Sequence, residues 1–331
     1  MAPSFFSCLL TWGLACGNIG PMNDSEVDDI LRDCIALKPQ ELIISDLKWK
    51  YLVRAIIRSK NIMVIGPSGC AKTMAARCVA TALKRPFEKF NVGSTQDARA
   101  TLIGNTTYKK ELGTVFHQSA FVKAITTPHS VVLLDELTRG THDAWNILMT
   151  VTDPTQRYLR LDEDSESAVV NVAEGVSFVA TANIGNEFTA TKVLDRAISR
   201  RFPVKLEMSL LSADELKHLF GILFKSRTDE EIKLMKTLAS ISDDLIAQCK
   251  MDDPKISIAI PPANMVEMGE LVMDGFTLEE IAEAAIYPEY PDEGGADSER
   301  AFVKSIMQKY FPKNVKSPIN DPLANKKKAS F

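Results

Sequence analysis

Short apolar runs alternate with amphipathic stretches along the first two thirds of the chain. Several runs contain no polar residue, as strands covered on both faces require, and the stretches between them have helical spacing. The predicted strands are 62–65, 87–92, 131–134, 176–181 and 202–206, and the clearest helices are 47–59, 74–83, 120–126 and 143–151. This alternation predicts an α/β fold with a parallel sheet that binds ligands at the carboxyl ends of its strands.

The strand pattern ends near residue 211, and helical spacing continues in the predicted helices 213–224, 230–249, 263–273, 278–285 and 298–310. Two hairpin-like segments, 104–117 and 157–172, interrupt the earlier part, and the second has an acidic tip at 162–167. We therefore predict an apolar tail at 1–21, a helical segment at 22–45, an α/β core at 46–210, a smaller helical domain at 211–312 and a disordered basic tail at 313–331.

Composition narrows the classes of protein. The 331 residues are 45% hydrophobic and 25% charged, which is typical of a folded protein, and a net charge of −4 argues against a broadly basic nucleic-acid surface. The six cysteines form no C-x-x-C pair, which favours a reduced, cytoplasmic protein. Residues 1–21 contain no Lys or Arg, and their apolar run is too short to span a bilayer. We therefore expect that Met22 is the true start or that the run is a frayed apolar tail without membrane attachment, and translocation is the less favoured alternative.

The first strand leads into the segment with the clearest chemistry. The sequence Gly-Pro-Ser-Gly-Cys-Ala-Lys-Thr at 66–73 follows the strand and precedes a helix, which is the order of a phosphate-binding loop. Its glycines let successive backbone N–H groups face the phosphates, Lys72 reaches the terminal phosphates, and the Thr73 hydroxyl ligates Mg²⁺. The predicted nucleotide contacts are Gly66, Pro67, Ser68, Gly69, Cys70, Ala71, Lys72, Thr73 and Met74.

Ala71 is the one departure from this loop pattern, because a glycine is usual at its position. The residue stands next to the helix start, so we expect a right-handed backbone with room for the methyl group. A Gly/Ser turn that happens to end in Lys-Thr is the alternative interpretation of the segment.

Acidic and amide side chains follow two later strands. Asp135 and Glu136 come directly after the third strand, and Asn183 follows the fourth. Beside a phosphate loop, Asp135 is suited to hold Mg²⁺, Glu136 to act as the general base that activates water, and Asn183 to orient that water. Taken singly, the acids could be an exposed strand end and the asparagine a turn residue.

An arginine-rich helix is predicted at 194–202, just before the fifth strand, and it carries Arg196, Arg200 and Arg201. An arginine finger stabilises charge on a transferring phosphoryl group and is often supplied by another subunit. The alternative is a surface helix with solvated arginines.

These motifs, in this order, resemble those of AAA+ ATPases, and the loop, Leu-Leu-Asp-Glu-Leu-Thr-Arg and Thr-Ala-Asn-Ile-Gly resemble the MoxR-type branch. The resemblance covers 49–310 and implies a P-loop core with a helical lid. It implies that Arg201 is the finger, with Arg200 as second candidate, that 104–116 faces a central pore, and that 157–172 is the pre-sensor hairpin. The arginine that the family often has early in the lid falls here on Ala263, which puts the coupling of lid motion to hydrolysis in question.

The resemblance implies a cytoplasmic, Mg²⁺-dependent ATPase that forms a homo-hexameric ring and remodels or activates a protein partner. Metallocofactor insertion is one such task, and a von Willebrand A domain protein is one such partner. The chain's own Glu-Asp-Ser-Glu-Ser at 163–167 differs from the metal-binding pattern of those domains, so we expect a solvated loop. Two alternatives stay open: a nucleic-acid-stimulated motor of phage or restriction type, which the acidic charge disfavours, and an ATP-binding scaffold with little turnover.

Overall fold

A computed structural model of the chain describes residues 24–109, 113–161, 169–183 and 196–311. The predicted tails at 1–21 and 313–331, the acidic tip at 162–167 and residues 194–195 of the arginine helix lie outside the described residues. The described chain forms two compact units. The first extends to Lys225 and includes Pro261–Val266, and the second comprises Ser226–Ile260 and the residues from Glu267 onward.

The first unit contains a five-stranded parallel sheet, which confirms the predicted fold class. The strands of the chain are β1 (Ile62–Ile65), β2 (Phe87–Asn91), β3 (Gly104–Lys109), β4 (Gly113–Gln118), β5 (Val131–Asp135), β6 (Tyr158–Arg160), β7 (Val169–Asn171), β8 (Ser177–Ala182) and β9 (Val204–Glu207). The sheet has the order β2-β5-β8-β1-β9 with every neighbour parallel. Strand β8 therefore lies between β1 and β5, so the segments that follow these three strands emerge side by side.

Helices connect the strands and form most of the second unit. They are α1 (Asp24–Asp33), α2 (Asp46–Ile57), α3 (Lys72–Ala82), α4 (Ala98–Leu102), α5 (Ala120–Thr126), α6 (His142–Val151), α7 (Arg196–Arg200), α8 (Ala213–Leu223), α9 (Asp229–Cys249), α10 (Pro262–Met273), α11 (Leu278–Ile281) and α12 (Glu299–Met307). The short α4 was not predicted. Strand β9 begins two residues later than predicted because Phe202 is fully buried in the core instead of pairing with β1.

Both faces of the sheet are covered, as the apolar runs predicted. Every residue of β5 and β8 is buried. Alternate residues of β5 point to opposite faces, so Val132 and Leu134 belong to a different hydrophobic cluster from Val131 and Leu133. Strand β2 is at an edge of the sheet and is largely exposed, which leaves room for its charged side chains.

Two antiparallel hairpins stand apart from the sheet, where the hairpin-like interruptions were predicted. Strand β3 pairs with β4 and strand β6 pairs with β7. Tyr108 on β3 has an exposed side chain.

The described residues of the second unit form helices joined by loops, and buried side chains such as Leu238, Leu245, Ile281 and Ile306 form its interior. The sequence boundary at 211 differs from the structural division, because α8 groups with the first unit. None of the described helices is long and apolar enough to cross a bilayer.

Asn61 connects three segments at the amino ends of the strands. It directly precedes β1, is buried, and donates from Nδ2 to the backbone oxygens of Thr152 (2.8 Å) and Arg201 (2.9 Å). It thereby joins the start of β1 to the end of α6 and to the segment that enters β9.

We predict that Asn61→Ala lowers the free energy of unfolding by about 1–3 kcal/mol, because it leaves one buried and one partly buried carbonyl group without their donor. Urea denaturation measures this change. Asn105→Ala, which removes an exposed side chain from β3, is the matched control and should change stability little. An Asn61 variant as stable as this control would contradict the role given to the side chain.

Candidate active site

The phosphate-loop segment occupies the turn between β1 and α3. A Cβ atom on Gly66 would lie 2.3 Å from the backbone oxygen of Met208, and one on Gly69 would lie 2.4 Å from Cβ of Pro261. Gly69 also has φ +71°, which favours glycine. Close packing and backbone shape together explain why this loop contains glycine at these positions.

Ala71 has a left-handed backbone (φ +63°, ψ +24°), so the expectation of a right-handed conformation was wrong. The loop makes its final turn at this residue before α3 begins at Lys72. The methyl group fits, but a left-handed alanine costs about 1–2 kcal/mol.

Lys72 points back into the concave side of the loop. Its Nζ donates to the backbone oxygens of Gly66 (2.9 Å) and Pro67. Burial lowers the pKa of the Lys72 ammonium. The cation is thus held at the loop that would surround the phosphates, as its predicted role requires.

Asp135 ends β5 beside the first turn of α3, as the motif order predicted. Thr73 Oγ1 lies 3.3 Å and 3.4 Å from its two carboxylate oxygens, and Thr181 Oγ1 donates to Oδ1 at 2.5 Å. Burial alone would raise the pKa of Asp135, but hydrogen bonds from Lys89, Thr181 and Thr73 outweigh it, and the pKa lies below its usual range. Asp135 is therefore an ionised carboxylate whose hydrogen-bond partners are already in place.

The Thr73 hydroxyl and the Asp135 carboxylate fit a Mg²⁺ ion. Both supply hard oxygen donors, and they are within 3.4 Å of each other. Mg²⁺ bound to a nucleotide takes some of its ligands from the phosphates and the others from protein oxygens. An ionised carboxylate next to a hydroxyl at the start of a phosphate-loop helix can supply those protein oxygens.

Lys89 is the main feature that the sequence analysis missed. Its Nζ lies 2.7 Å from Asp135 Oδ2. Lys89 pairs in register with Leu133, two residues before Asp135, so its long side chain reaches along the sheet to the carboxylate. A lysine near the end of an otherwise edge-exposed strand was the available signal, but its meaning depends on β2 lying next to β5.

Glu136 turns sharply out of β5 with a left-handed backbone (φ +54°), an uncommon conformation for a residue other than glycine. Its backbone N–H donates to Thr181 Oγ1 (2.9 Å), and its carboxylate lies 3.5 Å from the guanidinium of Arg139. Thr181 therefore holds both Asp135 and the backbone of Glu136. Thr181 is the second site residue that was not predicted. It lies on β8, two positions before Asn183, where a polar residue interrupts an apolar stretch.

The cavity beside the loop has a volume of about 480 Å³ and lies within the first unit. The phosphate loop, Asp135, Glu136 and Asn183 line one part of it. The remaining wall includes the apolar side chains Ile43, Leu211, Leu219, Leu223 and Val266, none of which was predicted to belong to the site. The end of the cavity at the phosphate loop is suited to phosphates, and the apolar end is suited to the flat nucleobase of a nucleotide. Ala263, where the resemblance implies an arginine, also lines this cavity.

The two candidate finger arginines lie elsewhere. Arg201 forms an ion pair with Asp153, with Nη2 2.8 Å from Oδ2, and its backbone oxygen accepts from Asn61 ahead of β1. Arg200 is exposed, and neither arginine is among the described residues that line the cavity. Because the loop follows β1 and Asn61 precedes it, the sheet separates Arg201 from its own loop by roughly 13 Å of strand.

Parts of the chain are similar to known proteins. Residues 61–202 match the family model for an AAA domain of the dynein-related subfamily. The chain is 29% identical over 229 residues to a protein named “Putative chaperone BssE” from Thauera aromatica, covering 68% of this chain and 74% of that protein. It is also 29% identical over 231 residues to a mitochondrial Lon protease homologue of Dictyostelium discoideum, covering 66% of this chain and 23% of that one. A solved structure of Hsp104 with ATPγS and casein has a TM-score of 0.49 at 16% identity, covering 67% of this chain and 45% of that chain.

We predict that Ala71→Gly raises the free energy of unfolding by about 1 kcal/mol, because it removes the cost of a left-handed alanine. Thermal unfolding of the nucleotide-free protein measures the change. Ala75→Gly, inside the same helix, is the control and should have the opposite sign, with a loss of about 1 kcal/mol or more. Equal losses from both variants would contradict the left-handed backbone at Ala71.

Proposed function

We propose that this chain is an AAA+ ATPase that hydrolyses ATP with Mg²⁺ and uses the energy to remodel or activate a protein partner from within a ring of identical subunits. The observation that carries the proposal is the convergence of Lys72, Thr73, Asp135, Glu136 and Asn183 on one cavity in the first unit.

Each of these side chains has a part in hydrolysis. Lys72 and the loop backbone would bind the terminal phosphates, while Thr73 and Asp135 would hold Mg²⁺. The metal, when bound, neutralises negative charge on the phosphate oxygens. Glu136 takes a proton from the attacking water as the bond from the γ-phosphorus to the bridging oxygen breaks, and Asn183 orients that water without adding charge.

The position of Arg201 supports a site shared between subunits. The residue is at the amino edge of the sheet and its own loop is at the carboxyl edge, so its guanidinium cannot serve its own nucleotide. A neighbouring subunit could offer its nucleotide to this edge, as arginine fingers supplied in trans do. A closed ring, with six subunits as the resemblance implies, gives every site such a neighbour.

The name of one relative supports a protein partner. BssE is named as a putative chaperone, which favours a protein rather than a small molecule as the object of the ATPase cycle. We infer a cytoplasmic MoxR-type chaperone, with metallocofactor insertion as one task and a von Willebrand A domain protein as one partner.

A second candidate is an ATP-binding scaffold with little turnover. Ala263 favours it, because this methyl group lines the cavity where the resemblance implies an arginine that would touch the γ-phosphate. Steady-state turnover separates the two candidates, since a scaffold retains ATP without releasing phosphate.

We predict that Glu136→Gln retains ATP binding and lowers kcat by about 10²-fold or more, because the amide cannot accept the proton of water. Phosphate release measures kcat, and a fluorescent ATP analogue measures binding. Glu88→Gln, on the exposed edge strand, makes the same chemical change as a control and should keep normal turnover. Normal hydrolysis by the Glu136 variant would show that the base has been wrongly assigned.

We predict that Arg201→Ala binds ATP but loses hydrolysis by about 10³-fold, as expected when an arginine finger is removed. Mixing it with Glu136→Gln should restore part of the activity, because some interfaces then join an intact Glu136 to an intact Arg201. Arg200→Ala, tested in the same way, distinguishes the two candidate fingers. An absence of recovery in mixtures that contain either arginine variant would contradict the shared site.

A further inference from the structure

The Asp135 carboxylate already has a cationic partner from its own chain. Lys89 Nζ lies 2.7 Å from Oδ2, and the side chain of Asp135 is only 12% exposed. The other oxygen, Oδ1, accepts the short hydrogen bond from Thr181. The ammonium therefore neutralises the one carboxylate that is also the candidate Mg²⁺ ligand.

Lys89 and Mg²⁺ would compete for the same oxygen atoms. Two cations that share a carboxylate repel each other, and Thr181 leaves Asp135 few free lone pairs. Lysine is a compact charge on a flexible stem, so it can withdraw without a change in the backbone. Its side chain is 40% exposed on an edge strand, which gives it solvent into which to move.

We propose that Lys89 is a tethered cation that occupies the Mg²⁺ position at Asp135 in the nucleotide-free protein and leaves it when Mg²⁺ and ATP bind. The inference rests on the proposed function, because it takes Asp135 as a metal ligand. Lys89 then keeps the charge of the empty site balanced and sets the Mg²⁺ concentration at which the site fills.

The arrangement makes charge, rather than side-chain length, the important property. Arginine at position 89 would keep the positive charge near Asp135, whereas methionine would keep a similar stem and remove the charge. If the charge of Lys89 is what matters, the arginine and methionine substitutions should give different results. If Lys89 has a purely steric role, they should not.

The test measures binding of a fluorescent ATP analogue during Mg²⁺ titration. For Lys89→Met we expect the half-saturating Mg²⁺ concentration to fall about two- to fivefold, the range for a half-exposed ion pair. Lys89→Arg should stay close to the wild-type value. Lys123→Met removes an exposed lysine from α5 as the control for net charge and should also leave the value unchanged.

An unchanged or raised half-saturating Mg²⁺ concentration in Lys89→Met would overturn the proposal. A second readout is affinity for the same analogue in EDTA, which should be unchanged; a marked loss there would make Lys89 a phosphate ligand and would equally overturn it. Thermal unfolding confirms that each variant is folded, and Lys89→Gln repeats the test if the methionine variant is not.

Asp135→Asn distinguishes failure of this inference from failure of the proposed function. If Asp135 holds the metal, this variant should lose most of the enhancement of analogue binding by Mg²⁺. Wild-type Mg²⁺ dependence in Asp135→Asn would rule out the metal site, and with it the proposed function. A loss of that dependence in Asp135→Asn, together with no shift in Lys89→Met, would rule out only the role of Lys89 as a tethered cation.

Discussion

The position of the Asp135 carboxylate is the constraint on which the rest of the site depends. Strand β5 carries it to the carboxyl edge of the sheet, β8 provides Thr181 to hold it, and the first turn of α3 provides Thr73 opposite it. An ionised group this deeply buried is costly unless it is paired and hydrogen-bonded, and here three partners supply that compensation. The same contacts orient the groups that would bind nucleotide and metal.

Most of the fold could be predicted because its signals are local. Apolar runs indicated the buried strands, and the order of strand, glycine loop and Lys-Thr located the phosphate loop. The backbone at Ala71 was wrongly predicted because residue type suggested a right-handed helix start, whereas the path of the loop imposes a left-handed turn. Thr181 and Lys89 were not predicted as site residues because each contacts Asp135 from a neighbouring strand. The order of the strands in the sheet cannot be obtained from spacing along the chain.

The opposite edges of one sheet divide the proposed catalytic groups. Glu136 and Asn183 face the cavity at the carboxyl edge, while Arg201 is fixed at the amino edge by Asn61 and Asp153. Within one subunit, the sheet, which is packed on both faces, lies between these two sets of groups. In an assembly, Arg201 of one subunit would complete the site of its neighbour, so hydrolysis would require an interface between two subunits. In the single chain, the Arg201 guanidinium is paired with Asp153.

The dependence of ATPase activity on protein concentration tests whether the active site is shared between subunits. Phosphate release per subunit is measured over a dilution series while light scattering reports the mass of the assembly. If the site is shared, activity per subunit falls steeply as the assembly dissociates, while ATP binding by the separated subunits persists. Constant activity per subunit from a species with the mass of a monomer would contradict it.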